Sequence, residues 1–385
     1  MLILFINSIS IYNSAGNITL MCRRAEAMRK IGIETKFISI SNNTVYQLYP
    51  DYHFDVEILN TDPNDRISSI LGYIDRFRPD YVCLHGNRAN MLIHKISKYC
   101  IDRKIHLMAD IQGALEEIKD FSNGNIVNKL ESEVRFTAAK YFMGRTLKKC
   151  DAAFVVSDEL AKYCKRLSKA PYKILEISCG ITETFSSTLI SEWRAATRKS
   201  LNIPDNATVF CYSGVINAWG NFDKTLKIWQ TFDEKYPNIF FILLAKTDED
   251  MEIKFRKSFI KGNYIISFLA KDEYFKYLAA SDVSFLIRDD KMTNYVAFPN
   301  KFSEYLNCGN LCYISDALKS PIEMLRENEI PYIEGNADIE NAVKIISDRK
   351  KNIAEYYEKT RRVCENLLTY DAQFEKLDYF KDEQR

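Results

Sequence analysis

Residues 286–309 read LIRDDKMTNYVAFPNKFSEYLNCG, and no other stretch gathers so many groups able to do chemistry. Pro299 and Asn300 mark a helix start, and Gly309 marks its stop. Unsatisfied backbone amides at that start, with Lys301 in the first turn, make an anion site. Glu304 follows one turn in. A carboxylate accepts two hydroxyls at once, so a nucleotide ribose is a natural ligand for it. Arg288 leaves the preceding apolar run, where its planar fork suits a phosphate.

Further polar residues sit just after other apolar runs. NSISIYNSAGNITL follows the first; Gly16 lets the backbone approach a ligand there, and the helix after it offers amides to an anion or a sugar. The GxGxxG fingerprint of dinucleotide sites is missing. His85-Gly86-Asn87-Arg88 offers a base and a phosphate-binding cation. The plain alternative is a histidine that makes only a local hydrogen bond. Asp110-Ile111-Gln112-Gly113, with Glu116 and Glu117 behind it, is placed to grip a hydroxyl-rich ligand, unless Asp110 merely caps a turn. In the second half, Tyr212-Ser213-Gly214 runs into a loop with Asn217 and Trp219. That loop suits a flat ring or a diphosphate, or else the indole packs in a core. Asp248, Glu249 and Asp250 resemble a metal triplet, yet acids in a first helical turn complement the dipole without any metal.

All these residues need a scaffold that gathers strand ends on one edge. Short apolar runs at 2–6, 35–40, 81–84, 105–109, 152–157 and 173–177 alternate with helical patterns at 17–31, 89–100, 126–149 and 158–167. The alternation then restarts. Runs at 208–213, 240–244, 265–268, 283–287, 311–315 and 331–333 are separated by helical patterns at 222–235, 249–258, 272–280, 300–308 and 338–348. Such alternation predicts parallel sheets covered on both faces. Two runs of it predict two doubly wound α/β domains with a junction near 178–200. Helical sequence at 349–380 either closes the second sheet or crosses back to the first domain.

Composition agrees. A chain of 385 residues is too long for one ordinary core, and 46% hydrophobic with 27% charged residues excludes wholesale disorder. With 53 basic against 52 acidic residues, a dedicated nucleic-acid binder is not implied. Residues 1–180 carry 25 basic and 20 acidic side chains, which leaves room for an anionic partner on that half. Lys129, Arg135, Lys140, Arg145, Lys148 and Lys149 crowd one helix there, as a solvated face or as a peripheral contact with anionic lipid. No apolar run reaches the roughly 18 residues that span a bilayer, and LILFI, with no basic residues before it, reads as a strand. The ten cysteines are scattered singly, and Cys308 and Cys312 have no second pair to complete a zinc site. They read as buried reduced thiols of a cytosolic protein.

The blocks SDVSFLIRDD and FPNKFSEYLNCGNLCYIS resemble the donor-binding region of bacterial GT-B glycosyltransferases of the retaining family 4 type. The resemblance extends over most of the chain. LILFINSISIYNSAGNITL is similar to the family's N-terminal glycine loop, and VFCYSGVI to the strand and glycine that open its donor domain. KILEISCGITETF stands where the family has its interdomain segment, and DIQGALEE resembles the aspartate-x-arginine-glycine segment of one subgroup. Carried over, Glu304 matches the glutamate that holds the donor ribose, and Asn300, Lys301 and Phe302 lie under the diphosphate. Gly214 matches the phosphate-loop glycine, Gly16 the N-terminal loop glycine, and Asp110 falls near the donor-sugar contact. The pattern also departs from the family. Val296 stands eight positions before Glu304 where a second glutamate is usual, Val215 replaces the loop arginine, and Gln112 replaces the subgroup arginine.

The resemblance implies the GT-B architecture, two Rossmann-like domains facing across a cleft. Residues 1–180 would bind the acceptor, 181–360 the donor, and 361–385 would form a C-terminal helix. It implies retaining transfer from a nucleotide-sugar to a glycan or lipid-linked acceptor in surface polysaccharide biosynthesis, with Asp110 and Glu304 at the centre and no required metal or cofactor. Asn217, Trp219 and Arg288 join the donor side. His85, Arg88, Gln112, Glu116 and Glu117 form an acceptor side, in a cytoplasmic protein with access to the inner membrane face. Two other classes share these features: a nucleotide-sugar epimerase or hydrolase, and a non-catalytic two-lobed sugar-binding protein.

Overall fold

The computed structural model describes residues 1–8, 16–40, 58–62, 65–120, 122, 126–214, 216, 221–236, 238–259 and 263–380. The chain divides into two compact units, Met1–Thr182 with Tyr370–Arg385, and Glu183–Thr369. The divisions expected from sequence lie at 180 and 360.

In the first unit, seven strands form one parallel sheet: β1 (Leu2–Asn7), β2 (Glu34–Ser39), β3 (Ile58–Asn60), β4 (Tyr81–His85), β5 (His106–Ile111), β6 (Ala152–Val155) and β7 (Lys173–Glu176). Their order is β3-β2-β1-β4-β5-β6-β7. β4 is buried along its whole length, as a strand covered by helices on both faces must be. The order reverses between β1 and β4, where Asn7 lies opposite His85. The last elements of the chain belong to this unit. Tyr370 accepts from the amide of Gly180 at 2.9 Å and donates its own amide to Ile181 at 3.1 Å. Phe374 and Phe380 then pack on the ring of Phe154.

The second unit repeats the design with six strands: β8 (Thr208–Ser213), β9 (Ile239–Leu244), β10 (Tyr264–Ser267), β11 (Val283–Leu286), β12 (Leu311–Ile314) and β13 (Ile333–Glu334). All are parallel, in the order β10-β9-β8-β11-β12-β13, so the reversal falls between β8 and β11. Trp229, fully buried, fills the core against Phe241 and Phe285. This unit buries a network of charges. Asp282, just before β11, pairs with Arg194 at 2.6 Å, Arg198 at 2.7 Å and Arg349 at 3.1 Å, and accepts from the Val209 amide at 2.8 Å. Burial opposes its ionisation, but the three guanidinium groups hold its carboxyl well below the usual range. Those contacts tie two helices and β8 to the start of β11, the strand that runs on to Arg288.

The twelve apolar runs all become strands. β3 was not anticipated, nor were the helices Arg66–Phe77, Ser187–Ser200 and Lys319–Glu327. All ten cysteines are buried, and none is in a disulfide. No helix among the described residues is long and apolar enough to cross a membrane.

Candidate functional site

In open α/β sheets the ligand sits beyond the carboxyl ends of the strands, where the strand order reverses. In the second unit that point lies past Ser213 of β8 and Leu286 of β11. Gly214 follows β8 with φ +122°, a conformation side chains avoid, and a Cβ there would lie 3.4 Å from Cε of Lys301. The helix Asn300–Asn307 begins beside it, with Pro299 as N-cap and Asn300 half-buried in its first turn. Gly309, at φ +67°, ends it, and the Asn310 amide reaches back to the Tyr305 carbonyl at 2.9 Å.

Lys301 and Glu304 lie on one face of this helix. Nζ of Lys301 stands 4.6 Å over the ring of Tyr274, 3.1 Å from its hydroxyl and 3.4 Å from Oε2 of Glu304. Tyr274 donates to the same Oε2 at 2.9 Å. Its hydroxyl also lies 3.0 Å from Oγ of Ser213, which is 2.9 Å from the hydroxyl of buried Tyr305. Burial, then the Glu304 charge, push the Tyr274 phenol up, so it keeps its proton. Chain distance hid this cluster: Ser213, Tyr274 and Tyr305 come from three separate elements, and no spacing pattern links them.

Arg288 is half-buried beside Tyr212 and Tyr305. Burial pulls its pKa down while the two phenols favour the charge. No carboxylate among the described residues pairs with it. Its neighbour Asp289 is instead taken by Lys224 at 3.1 Å and by the side chain of Asn221. The second unit therefore holds Lys301 and Glu304 beside the Gly214 turn, with Arg288 just past β11 near Tyr212 and Tyr305. Phe302 does not belong with them. Its ring is fully buried edge-on against Phe298, and its amide donates to the Pro299 carbonyl at 3.0 Å, so it offers an anion neither group. Asn217, Trp219 and Val215 lie outside the described residues.

The first unit places His85 and Asp110 side by side at the ends of β4 and β5. Expected as a sugar contact, Asp110 is instead enclosed. Arg24 binds its Oδ1 at 2.9 Å, and Gln112 its Oδ2 at 2.9 Å, with only 1% of the side chain exposed. Burial alone would raise its pKa, but Arg24, His85 and Gln112 bring it down to about 2. Nδ1 of His85 is 3.2 Å from both the Asp110 carbonyl and Oδ2. Both are acceptors, so Nδ1 carries a hydrogen, and in the neutral ring Nε2 is the acceptor. That Nε2 is buried with no partner, as are Oδ1 of Asn90 and Oε1 of Gln112. These three buried polar atoms, on His85 and Asn90 at and just after β4 and on Gln112 just after β5, lack partners among the described residues.

The remaining candidates are looser. Gly16 opens the helix Gly16–Lys30 after β1. Arg88 is exposed, and Glu116 accepts from Tyr163 at 2.9 Å. Burial, then Asp120, raise Glu117 to about 7. Asp248 caps the helix Glu249–Ser258 by accepting from the Met251 amide at 2.8 Å, with Glu249 and Asp250 in its first turn. No group of three metal-ligating side chains occurs among the described residues.

No family model matches the sequence, and no curated protein matches it. Solved structures do. HepE of Anabaena in complex with UDP matches with a TM-score of 0.72 at 12% identity, over 100% of both chains. The chain has the GT-B fold. A sucrose-phosphate synthase from Thermosynechococcus elongatus, another GT-B structure, matches at TM-score 0.70 and 13% identity, over 100% of this chain and 99% of that one. UDP-GlcNAc 2-epimerase from Neisseria meningitidis, bound to UDP-GlcNAc, matches at 0.56 and 13%, over 99% and 100%. At these identities the likeness speaks for the fold. In this GT-B chain each unit carries its polar cluster at its own strand-order reversal.

Proposed function

We propose that the chain is a retaining hexosyltransferase that moves a sugar from a nucleoside-diphosphate sugar to a glycan or lipid-linked acceptor in surface polysaccharide biosynthesis. The observation that carries this is the second-unit trio: Lys301 and Glu304 beside the Gly214 turn that follows β8, and Arg288 just past the end of β11. Arg288 and Lys301 would hold the diphosphate and Glu304 the ribose. As the bond from the anomeric carbon to the phosphate oxygen breaks, both cations neutralise the leaving group. The acceptor oxygen attacks on the face being vacated, and the departing phosphate oxygen takes its proton.

In the first unit, Asp110 acts through His85, fixing its ring so that Nε2 receives an acceptor hydroxyl, with Gln112 beside it. A peripheral membrane contact of the basic first unit would suit a lipid-linked acceptor. No metal enters this scheme, so transfer should survive EDTA. NMR of the product tests the stereochemistry: the anomeric configuration of the donor should be kept, and inversion would refute the retaining course.

The second reading, a nucleotide-sugar epimerase or hydrolase, draws on the likeness to the 2-epimerase structure. It requires free sugar or an epimer to form with no acceptor present.

A further inference from the structure

The hydroxyl network beside Glu304 has only one consistent direction. Tyr274 donates its single hydrogen to Oε2 of Glu304. It must then accept from Ser213 Oγ at 3.0 Å, while Lys301 also donates to it at 3.1 Å. With the Ser213 hydrogen spent, Tyr305 donates to Ser213 Oγ at 2.9 Å, and its oxygen accepts the Ser213 amide at 3.2 Å. Each hydroxyl has one hydrogen, and each is used. The chain starts at a fixed backbone amide of β8 and ends on one oxygen of the carboxylate.

We propose that Tyr274 is the positioning residue for ribose recognition, holding the Glu304 carboxylate in the orientation that accepts a vicinal diol. The inference rests on Glu304 as the ribose ligand. A glutamate on a helix has three side-chain torsions, and a carboxylate that must meet two hydroxyls together gains affinity from being held in place beforehand. Burial on the helix Asn300–Asn307 restricts the stem of Glu304, and Tyr274 pins one oxygen. The Tyr274 ring does a separate job under Lys301, and phenylalanine would keep it. Tyr274→Phe therefore removes the pin on Glu304 and a hydrogen bond of the Lys301 ammonium, which stays seated over the ring and beside Oε2 of Glu304.

The test is calorimetric titration of the full chain with UDP and with 2′,3′-dideoxy-UDP, which lacks the diol. Wild type should prefer UDP. Tyr274→Phe should weaken UDP about tenfold, as for loss of a hydrogen bond to a charged group, and change dideoxy-UDP less than twofold. Glu304→Gln should abolish the preference, and adding Tyr274→Phe to it should cost nothing more. In turnover, the donor KM of Tyr274→Phe should rise with kcat unchanged. Equal losses for both nucleotides, or no loss of UDP affinity, in a Tyr274→Phe protein with wild-type melting would overturn the inference while Glu304→Gln still loses the preference. A wild type that binds both nucleotides alike, or binds neither UDP nor GDP, would overturn the ribose reading of Glu304 and this inference with it.

Discussion

Arg288→Met separates function from stability at one position. Arg288 is half-buried beside two phenols with no carboxylate partner among the described residues, and burial pulls its pKa down. A base with a depressed pKa is disfavoured in its charged form by the fold. The guanidinium stays charged at every working pH, so this cost is present throughout pH 5–9. An apolar side chain of similar length should relieve about 1 kcal/mol, equivalent to about 2–4 °C in Tm for a unit of this size. The same change removes a charge-assisted bond to phosphate worth roughly 1.5–3 kcal/mol, weakening UDP about tenfold to 150-fold. Scanning calorimetry without ligand and titration with UDP read the two effects separately. A lower Tm with unchanged UDP affinity would show that Arg288 serves the fold and that the diphosphate charge is met elsewhere.

Two further outcomes follow from the buried charges. Asp282→Asn leaves three guanidinium groups around a neutral amide, and should cost about 3–5 kcal/mol, or about 6–20 °C in Tm. Because the folded carboxyl titrates well below its unfolded value of about 4, the wild-type advantage should be full above that pH and fade as pH falls beneath it; a constant gap down to pH 2 would contradict this. His85→Asn can keep a donor toward Asp110 but deletes the Nε2 acceptor, so it should raise the acceptor KM about 2- to 12-fold with UDP affinity unchanged. Equal weakening of UDP would move His85 out of an acceptor role.

The fold was legible because both sheets are built from short, mainly apolar runs such as 81–84 and 283–287, and parallel strands buried on both faces leave that signature. β3 escaped because three residues carry no period. The helix Ser187–Ser200 was absorbed into a junction, although Ser186 caps it by accepting from the Leu189 amide at 3.2 Å. At the site, Lys301 and Glu304 could be found because a helix start sets their spacing. Their partner Tyr274 could not, because it comes from another helix 27 residues before Lys301 and meets it only in the fold. For Asp110, the place at a strand end is legible in the sequence, whereas Arg24, 86 residues away, which encloses it, is not.

Recognition of a nucleoside diphosphate by the second unit is the central claim, and titration of wild type and Glu304→Ala with UDP, GDP and CMP tests it most directly. One diphosphate should bind the wild type, and the same nucleotide should bind Glu304→Ala at least about tenfold more weakly, with melting little changed. Absence of binding by all three nucleotides, or equal affinity in wild type and a folded Glu304→Ala, would contradict the account.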